Sequence, residues 1–345
     1  MKKRSLDLWG LLSVVGLLIF GSFNILGIRP DLFLNYIFFS LLGLAFFVLF
    51  FRLKTHFFKD NYFILFICFV LLFILTALLG EEVRGAKRWI NFFIFNFQTS
   101  EFYKPFFLLI MATLLSTHNR FMTQRIIVTF MAFFIPFIFV LTQPDLGSAL
   151  MYLVVFFAML FYSGYSTIKL LYISLAGFVG LPIGWQFLQN YQKLRIIGFI
   201  NPDLDPRGIT YNLHQAIITV GSGGLLGRGL GLSTQARHNF LPEFHTDFAF
   251  ASLVEQFGFV GGLVVLLLYM VLLYRLTVKI FTHKNDLFAY LYLSGSLIFI
   301  SLAIFVNVGM NLGILPVTGI ALPFISYGGS SIVSTMIMLG LAFSI

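Results

Sequence analysis

The feature that most constrains this chain is the recurrence of apolar runs long enough to cross a lipid bilayer. A bilayer core about 30 Å thick needs about 20 apolar residues per helix, and such runs recur along the whole 345-residue sequence. Hydrophobic residues make up 59% of the chain and charged residues only 10%, which excludes an ordinary soluble domain. The sequence therefore predicts an all-α, polytopic membrane protein with a single membrane domain over residues 1–345.

Hydropathy predicts about ten transmembrane helices, with a long polar outer segment, 189–247, between the seventh and the eighth. The N-terminal basic residues precede an apolar run without a cleavage site, so we expect a retained anchor. Cys68 is the only cysteine, which excludes an internal disulfide. The predicted spans cover residues 8–28, 32–51, 62–80, 102–115, 126–141, 146–162, 168–188, 248–276, 287–315 and 326–345.

The charges divide the two membrane faces unevenly. With the N-terminus inside, most basic residues fall on inner segments, as the positive-inside rule requires, so the net charge of +9 does not indicate nucleic-acid binding. Most acidic residues, however, lie outside, and nine of the 22 basic residues fall in outer segments 81–104 and 189–247. This mixture would suit an anionic lipid-linked substrate and an acid/base step. A solvated outer surface with scattered ion pairs is the alternative.

The first outer segment, 81–100, carries a cluster of bases beside a tryptophan. Arg84, Lys87 and Arg88 can bind phosphate oxygens, and Trp89 suits a sugar face. Snorkelling bases beside an interfacial aromatic residue explain the same pattern. Glu101 opens the next span after Ser100, where helix capping is the simpler interpretation.

Two further outer motifs favour structural roles. The turn at 143–148, Gln-Pro-Asp-Leu-Gly-Ser, places Asp145 where a carboxylate starts a helix. The glycine-rich stretch 221–231 matches neither a dinucleotide fingerprint nor a P-loop. We expect its glycines to let the backbone pass close to the membrane or to a substrate, with Arg228 carried among them.

The long outer segment ends in Leu-Pro-Glu-Phe-His-Thr-Asp-Phe at 241–248, directly before an apolar run. Asp247 there can reach water and lipid headgroups together, and ionisable groups at membrane depth are costly and often functional. Capping of the next helix by Thr246 or Asp247 is an alternative that is compatible with catalysis. The histidines lack the spacing of zinc ligands, so no all-protein zinc site is expected.

Polar residues also occur inside or between the last spans. Glu255 must face protein or a water-filled cavity. Asn307, Asn311, Ser326 and Ser330 belong to a set of amides, hydroxyls and glycines at the outer ends of the last spans, for which helix packing is the favoured role.

Together these motifs resemble the SEDS family, which includes RodA, FtsW and SpoVE. The resemblance covers nearly the whole chain and implies a GT-C-like fold and a peptidoglycan glycosyltransferase that polymerises lipid II on the outer face of the bacterial inner membrane. The family's catalytic aspartate maps onto Asp247. The motifs are Lys87-Arg88-Trp89, Gln98-Thr99-Ser100-Glu101, 143–147, 221–231, 241–248 and 316–331.

The short N-terminal tail and the stretch Gly-Ile-Leu-Pro-Val-Thr-Gly at 313–319 make the elongation branch a better match than the division branch. Thr99 replaces the proline usual before the Ser-Glu pair, which should alter only the loop. The last apolar run has no basic residues after it, so we expect a missing cytoplasmic end.

The resemblance also leads to a mechanistic hypothesis. Asp247 would act as general base in an inverting single displacement, and basic residues would stabilise the leaving pyrophosphate, with a divalent cation such as Mg²⁺ or Mn²⁺ as a further candidate and no organic cofactor. The basic and sugar-binding candidates are Arg84, Lys87, Arg88, Trp89, Lys193, Arg195 and Arg228. The supporting candidates are Glu101, Glu243, His245, Thr246, Glu255, Ser326 and Ser330.

The family implies a class B penicillin-binding protein and the elongation machinery as partners. Two other functions remain open, namely a transporter that moves lipid II across the bilayer and a scaffold for a cell-wall synthase. No inverted repeat is visible and the charges cluster on one face, which favours the enzyme over the transporter.

Overall fold

A computed structural model describes residues 7–53, 55–83, 86–91, 96–117, 122–202, 205, 208, 210–235 and 240–345. Within these residues the chain forms thirteen helices and a small three-stranded sheet. The helices are α1 Leu8–Ile28, α2 Pro30–Arg52, α3 Thr55–Asp60, α4 Tyr62–Leu79, α5 Thr99–Ser116, α6 Met122–Thr142, α7 Leu146–Tyr162, α8 Thr167–Phe187, α9 Asn190–Ile200, α10 Tyr211–Ser222, α11 Ala249–Thr282, α12 Leu287–Asn311 and α13 Gly329–Ser344.

Each predicted span overlaps one helix, because an apolar segment in lipid must satisfy its backbone hydrogen bonds internally. Five helices in the described part of the chain, α1, α2, α4, α11 and α12, are long and apolar enough to cross a membrane unaided. The mostly helical membrane fold is thus confirmed, whereas the number of crossings stays a prediction.

Helix α5 lies at the centre of the bundle. Its residues from Phe106 to Leu114 are all buried, and it contacts α4, α6, α7, α12 and α13. A helix that is apolar on every side is expected in the interior of such a bundle. Since α5 starts at the outer sheet and α7 and α12 flank it, the outer ends of these helices are held together.

The outer segment 81–100, predicted as a loop, folds into an antiparallel sheet over most of its length. Its strands are β1 Glu81–Val83, β2 Ala86–Asn91 and β3 Asn96–Gln98, in the order β1-β2-β3. The hydroxyl of Ser330, on the first turn of α13, accepts a bond from the Gln98 amide at 3.2 Å and donates to the Asn96 carbonyl at 2.9 Å. Ser330 therefore pairs with backbone groups at the open edge of β3. No local pattern in the sequence predicts this contact.

The glycine-rich segment packs against a break in α11. Gly258 has φ 71° and ψ −173°, which interrupts the helix. Four backbone hydrogen bonds join the segment to α11 around the break. They run from Arg228 N to Glu255 O, from Gly229 N to Gln256 O, from Phe259 N to Gly224 O and from Val260 N to Leu225 O, at 2.9, 3.0, 2.9 and 3.1 Å. The loop therefore supplies bonds that the broken helix lacks. The neighbour of this backbone in the structure is helix α11, and the expected approach to the membrane or to a substrate stays a prediction.

Candidate functional site

A cavity of about 980 Å³ opens among the outer ends of α2, α5, α7 and α9, the sheet, and segments 243–247 and 316–331. Nine of the residues predicted from the sequence line it: Arg88, Trp89, Glu101, Arg195, Glu243, His245, Thr246, Asp247 and Ser330. Lys87, Lys193, Arg228, Glu255 and Ser326 do not line it. Arg84 lies outside the described residues.

Asp247 occupies the turn that leads into α11 and is half-buried on the cavity wall. The facing wall is Gly319, whose φ is 80° and where a β-carbon would lie 3.6 Å from the Asp247 Oδ2 atom. The next residue along, Phe248, is the N-cap of α11 and makes no side-chain capping bond. The carboxylate therefore lies at the cavity, one residue before the N-cap of α11.

The Thr246 side chain does not cap the helix. Its hydroxyl donates to the Glu243 carboxylate at 3.1 Å and lies 3.3 Å from the carbonyl oxygen of the same residue. Glu243 itself has a positive φ of 54°. Thr246 therefore holds a tight turn that orders the segment before Asp247.

Every backbone carbonyl from 244 to 247 accepts a hydrogen bond from outside the segment. Such bonds fix a loop that would otherwise have many conformations. The donors are Ser252 Oγ to Phe244 at 3.1 Å, Tyr327 N to His245 at 2.7 Å, Ser326 Oγ to Thr246 at 2.6 Å, and Asn307 Nδ2 and Asn311 Nδ2 to Asp247 at 2.9 and 3.2 Å. Ser326 thus holds the backbone next to Asp247 although it does not line the cavity.

Arg88 on β2 holds the neighbouring turn. Its Nε atom donates to the Gln143 carbonyl at 2.7 Å, and its Nη2 atom donates to the Pro144 carbonyl, which also accepts the Tyr191 hydroxyl at 2.8 Å. Asp145 then caps α7 through Ser148 N at 3.2 Å, as the sequence predicted. Because its partners are neutral carbonyls, Arg88 keeps a full positive charge beside the cavity.

Glu101 and Lys104 form an ion pair in the cavity wall. Their Oε1 and Nζ atoms lie 2.5 Å apart, and their side chains are only 12% and 11% exposed. The N-cap of α5 is Gln98, without a side-chain capping bond, so capping by Ser100 is wrong. Lys104 was missing from the predicted site, although a lysine three residues after Glu101 on one helix face was a usable signal.

Arg195 reaches the cavity from the opposite side, on α9. A reciprocal capping box between Gln189 and Gln192 starts this helix. The Arg195 guanidinium lies 5.6 Å from the ring centre of Tyr191, and its Nη1 atom donates to the Val317 carbonyl at 3.2 Å. The Arg195 side chain remains exposed, so it can contact an anionic group in the cavity.

Tyr327 completes this wall, in the outer loop before α13. Burial raises the pKa of its hydroxyl above the ordinary value for tyrosine. A tyrosine hydroxyl can both donate and accept a hydrogen bond. Sequence analysis did not single out this residue or Tyr191.

Arg228 and Glu255 form a separate cluster that stabilises the long outer segment. Glu255 is fully buried and its Oε1 atom accepts from the amides of Thr234 and Gln235 at 2.8 and 2.9 Å. Arg228 donates to the Thr234 hydroxyl at 2.8 Å and lies 4.0 Å from Glu255. Glu255 thus faces protein, as expected, but neither residue meets the cavity.

The chain is similar to a known protein family and to named proteins of other bacteria. A family model for FtsW, RodA and SpoVE, described as "Cell cycle protein", matches residues 4–345. The chain is 33% identical to the peptidoglycan glycosyltransferase RodA of Treponema pallidum, over 84% of each chain. It is 37% identical to the peptidoglycan glycosyltransferase MrdB of Escherichia coli K12, over 81% of this chain and 75% of that one.

The fold is shared with solved structures. One, from a study of how a peptidoglycan synthase complex coordinates polymerisation and crosslinking, superimposes with a TM-score of 0.83 at 28% identity. The match covers 98% of this chain and 97% of the other. The similarity therefore includes the helices and both outer segments that build the cavity.

Proposed function

This chain belongs to the FtsW/RodA/SpoVE family and is a peptidoglycan glycosyltransferase, and we propose that its cavity polymerises lipid II, with Asp247 as the general base. The observation that carries the proposal is the position of the Asp247 carboxylate, half-buried on the wall of a cavity of about 980 Å³. A cavity of that size can hold a sugar-sized ligand. Carboxylates and bases line it together, as an acid/base step on an anionic substrate requires.

In the proposed step, Asp247 accepts the proton of the N-acetylglucosamine 4-hydroxyl of one lipid-linked chain. The electron pair left on that oxygen forms a bond to the anomeric carbon of the other lipid-linked chain. The bond from that carbon to the pyrophosphate oxygen breaks, and its electron pair leaves with undecaprenyl pyrophosphate. A single displacement of this kind inverts an α-linked donor to a β-1,4 product. Because a carboxylate is a weak base toward an alcohol, the proton moves late.

The leaving group must therefore be stabilised strongly. Arg195, Lys104 and Arg88 are the bases that reach the cavity among the described residues. Arg195 is exposed and suits direct contact with pyrophosphate oxygens, whereas Lys104 is already paired with Glu101. Lys87, Lys193 and Arg228 lie off the cavity, so their proposed contribution is limited to long-range attraction of an anionic lipid.

For a divalent cation, we propose binding together with the substrate rather than at a preformed protein site. The described residues contain no cluster of three or more His, Cys, Asp or Glu side chains that could hold a metal ion. Mg²⁺ usually keeps several waters and binds through substrate phosphates with one or two carboxylates. We therefore assign no step to a metal, and expect any cation to arrive with the pyrophosphate.

The test uses the full-length protein in phospholipid vesicles with purified lipid II. Asp247→Asn should insert and fold normally yet form no glycan, and substantial polymer from this variant would eliminate the proposed base. Fluorescent lipid II in the same vesicles distinguishes the rival function: translocation without polymer would identify a transporter. A scaffold would form no glycan alone, and glycan synthesis by an added synthase partner would survive charge-neutral substitutions throughout 189–247.

We further propose that the cavity opens to the outer face of the bacterial inner membrane and that a class B penicillin-binding protein is the partner. The similarity to a subunit of a peptidoglycan synthase complex supports this assignment. A role in cell elongation rather than division follows from the motif at 313–319. Restoration of rod shape, but not of septation, in depleted cells would separate the elongation enzyme from the division homologue FtsW.

A further inference from the structure

Two buried asparagines hold the backbone of Asp247 from behind. Asn307 and Asn311 lie one turn apart on α12, and both are 0% exposed. Their side-chain amides donate to the Asp247 carbonyl at 2.9 and 3.2 Å. Polar side chains are costly inside a membrane bundle, and apolar residues would fill the same space. Their presence at this point therefore calls for a specific role.

We propose that Asn307 and Asn311 are positioning residues that set the reach of the Asp247 carboxylate, an inference that rests on the proposed function of Asp247. The carboxylate is attached to its own backbone by two rotatable bonds. Fixing that backbone therefore limits where the carboxylate oxygens can go. Catalysis is sensitive to such placement, since an error of about 1 Å costs on the order of a hundredfold in rate.

Asn307 sets the width of the cavity at the carboxylate. Its amide group has two hydrogens, and these go to Asp247 O and to Ile320 O at 2.9 and 2.8 Å. Ile320 follows Gly319, whose hypothetical β-carbon lies 3.6 Å from Asp247 Oδ2. One amide thus joins the segment that carries the carboxylate to the segment that faces it.

Asn311 fixes the start of α11. The first amides of a helix have no partner within it, and the Asn311 Oδ1 atom accepts one of them, Ala251 N, at 3.0 Å. The Nδ2 atom of the same side chain donates to Asp247 O and, at 2.7 Å, to Asn307 O. The helix start, the Asp247 backbone and α12 are thereby locked in one arrangement.

The test compares Asn307→Ala and Asn311→Ala with Asn24→Ala in the full-length protein, in vesicles with lipid II. Asn24 is also 0% exposed and donates to α11, at Ala249 O and Ser252 Oγ, but has no bond to Asp247. The three variants should lose similar amounts of thermal stability. The α12 variants should lose about a hundredfold in kcat with little change in KM, whereas Asn24→Ala should keep most of its kcat.

A second variant covers failure of the alanine substitutions to fold. Asn311→Thr introduces a side chain close to asparagine in size and adds no charge to the membrane interior. Its hydroxyl can bond the Asn307 carbonyl one turn back, but the amide that donates to Asp247 is removed, so this variant should also lose kcat. If kcat falls equally in Asn24→Ala, or does not fall in the α12 variants while Asp247→Asn is inactive, the positioning role is overturned. If Asp247→Asn remains active, the base assignment fails, and the positioning role fails with it.

Discussion

The Nε atom of Arg88 lies 2.7 Å from the backbone oxygen of Gln143, so a guanidinium group on β2 holds the turn that starts α7. A second donor of the same group reaches Pro144 O. Arginine presents these donors in a planar fork that lysine lacks. The two bases beside the cavity thus differ, since Arg88 holds a backbone turn while the Arg195 side chain is exposed at the cavity.

The first prediction concerns Arg88→Lys, which keeps the charge but removes the fork. Hydrogen bonds to charged groups contribute about 1.5–3 kcal/mol each, so we expect a loss of about tenfold or more in kcat/KM. Arg195→Lys is the matched comparison and should lose less, because that residue acts mainly through its charge. Initial rates of glycan formation over a range of lipid II concentrations measure both. Equal losses in the two variants would show that Arg88 acts as a charge.

The second prediction concerns the Glu101–Lys104 pair, which is largely buried. Removing one member of a buried pair costs about 3–5 kcal/mol, whereas replacing both is much less harmful. Glu101→Gln and Lys104→Met should therefore each lower the thermal midpoint more than the double variant does. Midpoints measured in detergent check this order, and additive losses would contradict it.

The effect on activity should differ from the effect on stability, because only Lys104 is expected to act on the substrate. Lys104 is one of the bases that line the cavity, so Lys104→Met should raise KM for lipid II even in the double variant. If the double variant recovers both stability and an ordinary KM, Lys104 does not contact the donor.

The third prediction concerns the break in α11. A β-carbon at Gly258 would lie 2.3 Å from both Gly227 N and Leu225 O, and φ there is 71°. Gly258→Ala should therefore destabilise the protein by more than the roughly 1–3 kcal/mol of backbone strain alone.

Gly221→Ala is the control for that substitution. Gly221 lies in α10, has no positive φ, and a β-carbon there would meet nothing within 4 Å. Its replacement should be neutral or stabilising by about 0.4–1 kcal/mol. Thermal unfolding of both variants tests the pair, and similar stability would show that the loop does not pack in the break.

The fourth prediction concerns the divalent cation. Since the described residues offer no cluster of three metal-ligating side chains, the protein alone should bind Mn²⁺ weakly. Adding undecaprenyl pyrophosphate should increase that binding, because phosphate oxygens supply the missing ligands. Calorimetry with and without the lipid measures the difference. Tight Mn²⁺ binding to the protein alone would instead indicate an all-protein site.

Polymerisation gives a second check of the same idea. EDTA treatment should lower the rate, and either Mg²⁺ or Mn²⁺ should restore it. A rate that EDTA leaves unchanged would remove the cation from the proposal.

Local sequence was sufficient for the helices and for nine of the residues that line the cavity. Each apolar run must form a helix in lipid, because no water is present to satisfy its backbone. The same reasoning marked Glu101 and Asp247, as carboxylates at the ends of apolar runs. It also predicted that Glu255 faces protein or a water-filled cavity, but it did not reveal that Arg228 and Glu255 lie away from the main cavity, because hydropathy does not show which neighbour a charged side chain contacts.

What the sequence by itself determined is the helical membrane fold and the position of Asp247 at the N-terminal end of α11, because both depend on hydropathy over neighbouring residues. The tertiary structure alone decided which polar groups meet. Arg88 donates a hydrogen bond to Gln143, 55 residues away in the sequence, and Asn307 donates one to Asp247, 60 residues away. A hydrogen bond tolerates a change of only a few tenths of an ångström in the distance between donor and acceptor. Only the packing of helices and loops sets that distance for residues so far apart in the chain.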